Sequence, residues 1–189
     1  MTDPSDHTQL EAARLVAFRF IGYSARSCAE ITRRLTRADF DEAIISRTIE
    51  EFKQAGLIND DQFASNWVDD RAERKRYGKR RLAQELSRKG VDSQIISDTL
   101  SHVSEEDELR RAQEIVQRRW PQFDPIDHPI EDKAHPECGP VSGSATPGAP
   151  IPVTIKEKER IRGYLLRRGF SGSIVKQVVK QVLMLCTKN

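Results

Sequence analysis

A pattern of eight mostly apolar positions occurs three times in this chain, and it limits the possible folds more than any other feature. The first copy covers residues 31–52; a shift of 51 residues places the pattern on 82–103, and a further shift of 79 places it on 161–182. No gap interrupts any copy. A repeated unit of this size buries too little apolar surface alone, so the pattern predicts tandem copies of one small unit.

Each copy predicts two helices joined by a tight turn. In the first copy, Ile31 and Leu35 lie four residues apart and so share one helix face. The turn calls for a residue in the left-handed conformation, which Gly90 and Gly169 adopt without strain, and Asp39 stands at the same position in the first copy. A capping residue then begins the second helix in each copy, namely Asp41, Asp92 and Ser171.

A further helix precedes each pair. The first is expected over residues 8–21, the second from Asp60 or Asp61, and the third from near Ser104. No stretch alternates between apolar and polar residues as a strand does, so no sheet is expected. The sequence predicts an all-α fold of three tandem three-helix repeats, helix-turn-helix-like, in an elongated array: residues 8–58, 59–103 and 104–189. Ser27-x-x-Glu30 and Thr154-x-x-Glu157 predict capping boxes at the middle helix of the first and third repeats.

The third repeat contains a segment of different composition. Residues 121–153 hold eight of the nine prolines and several glycines. Proline removes helical hydrogen bonds, and this composition cannot bury a core. We expect a disordered surface insertion. A linker between separate domains is a nearly equivalent interpretation, but the register of the repeat favours the insertion.

Bulk properties indicate a cytoplasmic protein. The chain of 189 residues contains no apolar run long enough to span a membrane, and its first six residues lack the features of a signal peptide. Cys28, Cys138 and Cys186 are odd in number and far apart, so we expect reduced thiols rather than disulfides or a metal site.

Positive charge is concentrated in one stretch, although the whole chain carries a net charge of only +2. The basic segment is the set of nine lysines and arginines between residues 71 and 89, against two glutamates. Such a density favours binding of phosphates or partner carboxylates over a merely solvated helix face. The segment consists of Arg71, Arg74, Lys75, Arg76, Lys79, Arg80, Arg81, Arg88 and Lys89. Arg160, Arg162, Arg167 and Arg168 extend this prediction to the last repeat.

Other candidate sites favour structural roles. Asn59, Asp60 and Asp61 lack a third ligand, so we interpret them as a helix N-cap rather than a metal site. Trp67 lies on an apolar stripe and is expected in the core, while Tyr77 could serve in packing or in base stacking. No nucleophile has an adjacent base and no glycine-rich phosphate loop occurs. We therefore expect no enzyme activity, no cofactor and no metal.

Four stretches resemble the RecX family, whose members regulate the bacterial RecA recombinase. The resemblance covers nearly the whole chain except the proline-rich segment and the first few residues. The matching stretches are Arg26-Ser27-x-x-Glu30-Ile31 through Phe40; Gly56-Leu57-Ile58-Asn59-Asp60-Asp61-x-Phe63-Ala64; Gly78-Lys79-Arg80-Arg81-Leu82-x-x-Glu85-Leu86-x-x-Lys89-Gly90-Val91; and Arg167-Arg168-Gly169-Phe170.

The resemblance implies that the protein binds along the groove of the RecA–DNA filament and suppresses filament growth. RecA strand exchange, ATP hydrolysis and coprotease activity would fall as a result, which places the protein in DNA repair, recombination and the SOS response. It also implies contact with single- or double-stranded DNA through phosphates, and we expect a monomer. The alternative is a helix-turn-helix transcription factor, which three-helix units with short turns also suggest.

Overall fold

The computed structural model of the chain describes residues 4–121 and 154–186, and these residues form helices and short connections without any strand. The prediction of an all-α fold is confirmed for this part of the chain. The proline-rich segment lies outside the described residues except for Pro121, as does Cys138. The helices are α1 (Pro4–Tyr23), α2 (Cys28–Thr36), α3 (Glu42–Gln54), α4 (Asp60–Lys75), α5 (Lys79–Lys89), α6 (Ser93–Ser101), α7 (Glu105–Arg119), α8 (Ile155–Arg167) and α9 (Gly172–Cys186).

The chain forms two compact units, Met1–Ser104 and Glu105–Asn189. The first unit contains α1 to α6 and the second contains α7 to α9. The boundary predicted between the first two repeats, at residues 58 and 59, lies inside the first unit and stays a prediction.

Helices α1, α2 and α3 pack against one another around one apolar cluster. Ile31 and Leu35, the pair that the repeat placed on one helix face, are fully buried there. Phe52 closes the cluster from α3, and Ile58 from the connection that follows. The repeated apolar positions therefore form a core, and α2 buries one face against it.

Helices α4, α5 and α6 repeat this arrangement with their own cluster. Leu82 and Leu86 of α5 are fully buried, and Phe63 of α4 packs with them. Trp67 is half-buried against the same cluster, as its apolar stripe predicted, and so is Tyr77.

The second unit buries a third cluster among α7, α8 and α9. Ile161 and Leu165 occupy the positions of Ile31 and Leu35 in the repeat, and both are buried. Phe170, the residue after the turn, is completely enclosed. The same eight positions thus supply core residues in all three places.

The turn predictions are confirmed. Asp39, Gly90 and Gly169 have φ angles of 58°, 81° and 86°, in the left-handed region. Arg76 also has a positive φ of 51°, where α4 ends, and the sequence did not indicate it. A side chain in this region is disfavoured, and Arg76 adopts it as the C-cap of α4, where its backbone N–H donates to the carbonyl oxygen of Arg71.

The predicted helix starts are confirmed in position, but one predicted cap does not form. Asp92 and Ser171 accept hydrogen bonds from backbone N–H groups of their helices, whereas the Asp41 side chain before α3 accepts none. Both capping boxes form, Ser27 with Glu30 and Thr154 with Glu157. Helix α1 is longer at both ends than the predicted residues 8–21, and α7 starts one residue after Ser104. These local signals are reliable because a cap and its partner are only three residues apart.

Candidate functional site

The basic segment folds into the end of α4, a short connection and the whole of α5. Arg74 and Lys75 lie in the last turn of α4, and Arg88 and Lys89 in the last turn of α5. Positive side chains at these ends are stabilised by the negative pole of each helix dipole. Part of the basic density therefore has a local structural reason.

Two of the predicted residues hold the indole ring of Trp67. The Arg71 guanidinium carbon lies 4.2 Å from the ring centroid, and the Lys89 ammonium nitrogen lies 4.8 Å from it. Phe63 stacks on the same indole at 5.7 Å. Cation–π contacts of this kind stabilise packed, partly desolvated rings. Arg71 and Lys89 are thus engaged within the first unit.

Three arginines of the segment also have carboxylate partners. Arg71 lies 2.8 Å from Asp70 and 3.5 Å from Glu85, and Arg74 lies 2.8 Å from Asp70. Arg81 lies 3.5 Å from Glu85, with its guanidinium over the ring of Tyr77. These contacts neutralise part of the positive charge that the sequence counts as available to a partner.

Arg80 and Arg88 are arranged differently. Both are exposed on α5, two helical turns apart, and no carboxylate of the described residues forms an ion pair with either. Lys75 is exposed, while Arg76 and Lys79 are half-buried. Arg80 and Arg88 are therefore exposed members of the basic segment that have no counter-ion among the residues that the structure describes.

The end of α5 is fastened to the start of α2. The Ser27 hydroxyl donates to the carbonyl oxygen of Lys89 at 2.6 Å, and the Arg33 guanidinium donates to the same oxygen at 3.2 Å. The Lys89 ammonium lies 2.7 Å from a carboxylate oxygen of Glu30. Three polar contacts to one residue make this junction a defined contact between the first two helical clusters.

A second contact crosses the same junction. The backbone N–H of Cys28 donates to the carboxylate of Asp60 at 2.9 Å. The sequence interpretation of the acidic run as an N-cap is confirmed for Asn59, which accepts a hydrogen bond from the backbone N–H of Gln62 at the start of α4. Asp60, in contrast, satisfies a free backbone N–H of another helix, α2.

The Cys28 thiol beside this contact is a poor nucleophile. Burial raises its pKa to about 11, and the nearby negative charge of Asp60 adds to the effect. The thiol therefore stays protonated at neutral pH, and the reactive species of a cysteine is the thiolate. Among residues 4–121 and 154–186, no group of three or more histidine, cysteine or acidic side chains is placed to hold a metal ion.

Four arginines that the sequence analysis did not select converge on one cleft of about 640 Å³ between α1 and α2. They are Arg19 of α1 and Arg33, Arg34 and Arg37 at the end of α2. Residues 1–70 carry a net negative charge, so the charge averaged over that segment gave no indication of these arginines. The run Arg33-Arg34-x-x-Arg37 was the signal that could have found them, because residues three and four apart share a helix face.

The predicted basic residues of the last repeat lie on α8 and directly after it. Arg160, Arg162 and Arg167 are exposed. Arg168 is half-buried, and its guanidinium carbon lies 5.1 Å from the centroid of the Tyr164 ring. The structure thus leaves three of these four guanidinium groups in solvent. The part of the chain that the structure describes contains no helix that is both long and apolar enough to cross a membrane.

Comparison with known proteins agrees with this architecture. A model of the first three-helix domain of RecX matches residues 13–52, and a model of the second matches residues 59–100. Regulatory protein RecX of Mycobacterium sp. strain JLS is 33% identical over 178 residues, which cover 94% of this chain and 85% of that protein. The Thermobifida fusca protein of the same name is 27% identical over 90% of this chain and 78% of its own length.

A solved structure shares the fold. The crystal structure of RecX from Lactobacillus salivarius superposes with a TM-score of 0.71 at 20% sequence identity, covering 93% of this chain and 97% of that one. At this identity the match concerns the fold alone. The two domain models and the Mycobacterium relative, however, extend to the sequence itself, and together they show that this chain belongs to the RecX family.

Proposed function

We propose that this protein is a non-enzymatic regulator that binds the RecA–DNA filament and lowers the recombinase, ATPase and coprotease activities of RecA. The observation that carries the proposal is the alignment of 94% of the chain with a relative named a regulatory protein. Because this relative matches 94% of the chain, the proposal concerns the whole molecule and not one module.

The exposed charge of α5 supports a polyanionic or acidic partner. Neither Arg80 nor Arg88 forms an ion pair with a carboxylate of the described residues. A guanidinium group can bind a phosphate or a carboxylate through two parallel hydrogen bonds. Both residues sit on a helix whose end is fastened to α2 through Lys89. A surface that is already rigid loses less entropy on binding, which favours recognition of a regular filament. Lys75, Arg76 and Lys79 are further members of the proposed surface. Arg162 and Arg167, in the second unit, are separate candidates for contact with the same partner.

The proposal assigns no chemistry to the protein itself. The Cys28 thiol is protonated at neutral pH because burial raises its pKa to about 11. Regulation would then depend on occupancy of the filament, and the effect on RecA would rise with the concentration of the regulator. We further propose that it acts as a monomer in the cytoplasm, in DNA repair, recombination and the SOS response.

The test is RecA-catalysed ATP hydrolysis on single-stranded DNA. Adding the protein should lower the steady-state rate progressively and should reach strong inhibition below one molecule per RecA monomer. A rate that stays unchanged up to one molecule per few RecA monomers rejects the proposal. Binding to one preferred duplex sequence, at salt concentrations that abolish non-specific binding, would instead support the helix-turn-helix transcription factor.

A further inference from the structure

The cleft between α1 and α2 has two chemically different walls. Arg33 and Arg34 of α2 and Arg37, which directly follows it, form one wall, and all three side chains are exposed. The wall on α1 contains Arg19 together with the aromatic ring of Tyr23. A concave site of about 640 Å³ falls within the range of roughly 300–1,000 Å³ that holds a molecule of drug or nucleotide size.

Ion pairs within the described residues do not balance the positive charge of this cleft. Within the described parts of the chain, no ion pair engages Arg19, Arg34 or Arg37. The carboxylate that lines the cleft belongs to Glu30, which already pairs with Lys89 at 2.7 Å. Like charges three and four positions apart, as in Arg34/Arg37 and Arg33/Arg37, repel one another. An anionic ligand in the cleft would therefore relieve an electrostatic cost as well as form new contacts.

The aromatic wall narrows the choice of anion. Tyr23 is 87% exposed at the last residue of α1. Phe20 also lines the cleft, but the Arg26 guanidinium lies 4.4 Å from its centroid and covers one of its faces. An exposed ring beside a row of arginines is the combination that binds single-stranded nucleic acid, where bases stack on aromatic rings and phosphates meet cations.

We propose that the cleft between α1 and α2 is a binding site for single-stranded nucleic acid, in which Arg19, Arg34 and Arg37 hold the phosphates and Tyr23 stacks on a base. A single strand fits a cleft of this size, whereas a duplex presents its bases only inside grooves. An acidic peptide would use the arginines but would leave the Tyr23 ring unused. The site goes beyond the proposed regulation of RecA, since its ligand binds in the absence of any filament.

The experiment measures binding of fluorescein-labelled oligothymidylate to the full chain by fluorescence anisotropy. An oligonucleotide of about 20 residues exceeds the roughly 4–16-nucleotide sites of single-strand binding folds. At about 50 mM salt, the double variant Arg34→Glu/Arg37→Glu should bind at least about tenfold more weakly than the parent chain. Loss of two phosphate contacts should also lower the slope of log affinity against log salt by about 1.4.

A matched control makes the same charge change on another helix of the same unit. Arg47 and Lys53 are exposed on α3, and the variant Arg47→Glu/Lys53→Glu reverses the same number of charges. Its affinity should change by less than about threefold, because long-range attraction between exposed charges is screened. Circular dichroism of both variants should show unchanged helicity, since all four side chains lie on the surface.

The stacking contribution is tested by two substitutions of one residue. Tyr23→Ala should weaken binding by roughly tenfold, and Tyr23→Phe should restore it, because stacking needs the ring and not the hydroxyl. A purely electrostatic site would bind with equal affinity in the parent chain and both variants, and this result would overturn the assignment of Tyr23.

Other outcomes overturn the proposal as a whole. Equal affinity of the parent chain and Arg34→Glu/Arg37→Glu would show that the nucleic acid binds elsewhere. Displacement of the oligonucleotide by an oligoglutamate at equal charge concentration would identify a site for acidic protein segments instead. The RecA ATPase assay on the same variants separates the two proposals: inhibition that persists while oligonucleotide binding is lost supports the cleft and leaves the proposed regulation intact.

Discussion

The ammonium nitrogen of Lys89 lies 2.7 Å from a carboxylate oxygen of Glu30 and joins the last turn of α5 to the first turn of α2. The two side chains are 26% and 13% exposed, so water screens the pair only in part. Lys89 also covers the ring of Trp67. A residue that the sequence assigned to a partner thus stabilises the contact between two helical clusters.

Removal of this ion pair should destabilise the first unit. We expect Lys89→Met to lower the free energy of unfolding by about 1–3 kcal/mol, more than an exposed pair contributes and less than a fully buried one. Urea unfolding followed by tryptophan fluorescence measures it, in a Trp120→Phe background so that Trp67 alone reports. As a control, Arg47→Met breaks the exposed pair with Glu51 and should cost about 0–0.5 kcal/mol. Equal effects of the two substitutions would contradict the structural role of Lys89.

Gly90 should tolerate no side chain. Its φ is 81°, and a Cβ added there would lie 2.4 Å from the Cβ of Ala29, on α2. Gly56 offers a matched control, since its φ is 67° but nothing lies within 4 Å of the added atom. Gly56→Ala should lower the free energy of unfolding by about 1 kcal/mol, because of backbone strain. Gly90→Ala should lower it by at least about 1 kcal/mol more, because of the additional clash.

The double variant Ala29→Gly/Gly90→Ala isolates the close approach. Removal of the Ala29 methyl group relieves the clash but leaves the strain of the left-handed conformation. Ala29→Gly should therefore be less harmful in the Gly90→Ala background than in the parent chain. Additive effects would show that the two helices separate without cost.

The Cys28 thiol should become reactive only at a higher pH than an ordinary thiol. Because the folded-state pKa of about 11 lies above the ordinary thiol value, the folded chain keeps its thiol proton through the range in which the unfolded chain loses it. In a Cys138→Ser/Cys186→Ser background, the alkylation rate of the folded chain should reach half its maximum near pH 11. In urea, the unfolded chain should reach it near the ordinary thiol pKa. Stability should correspondingly fall as pH rises from the unfolded pKa towards 11. Asp60→Asn should shift the reactivity to lower pH, and an unshifted profile in the folded parent chain would contradict the prediction.

Within the basic segment, the exposed and the engaged arginines should behave differently. Arg80→Glu/Arg88→Glu should weaken inhibition of RecA ATP hydrolysis at least about tenfold with little change in stability, because neither side chain has a carboxylate partner within the described chain. Arg71→Glu places a carboxylate beside Asp70, Glu85 and Trp67 instead. It should destabilise the first unit by about 2 kcal/mol or more.

Inhibition curves and urea unfolding of both variants measure the two effects, and unchanged inhibition by Arg80→Glu/Arg88→Glu would remove α5 from the proposed surface.

The candidate surface was only partly predictable. The density of charge between residues 71 and 89 selected α5 as a candidate, but it could not separate Arg80, which faces solvent, from Arg81, which pairs with Glu85. The arginines of the α1–α2 cleft were missed, since Arg19 and Arg37 come together only when the helices pack. Charge averaged along a chain does not report which side chains share a surface.

The sequence by itself determined the helices, their turns and their cores. The apolar period, the capping boxes and the left-handed turn residues act over three or four positions, so their physics is contained in short stretches. Only the tertiary structure decided how the clusters join. Ser27 and Lys89 are 62 positions apart and Cys28 and Asp60 are 32 apart, yet each pair shares a hydrogen bond. No periodicity encodes such contacts, because they depend on how two separately formed cores pack together.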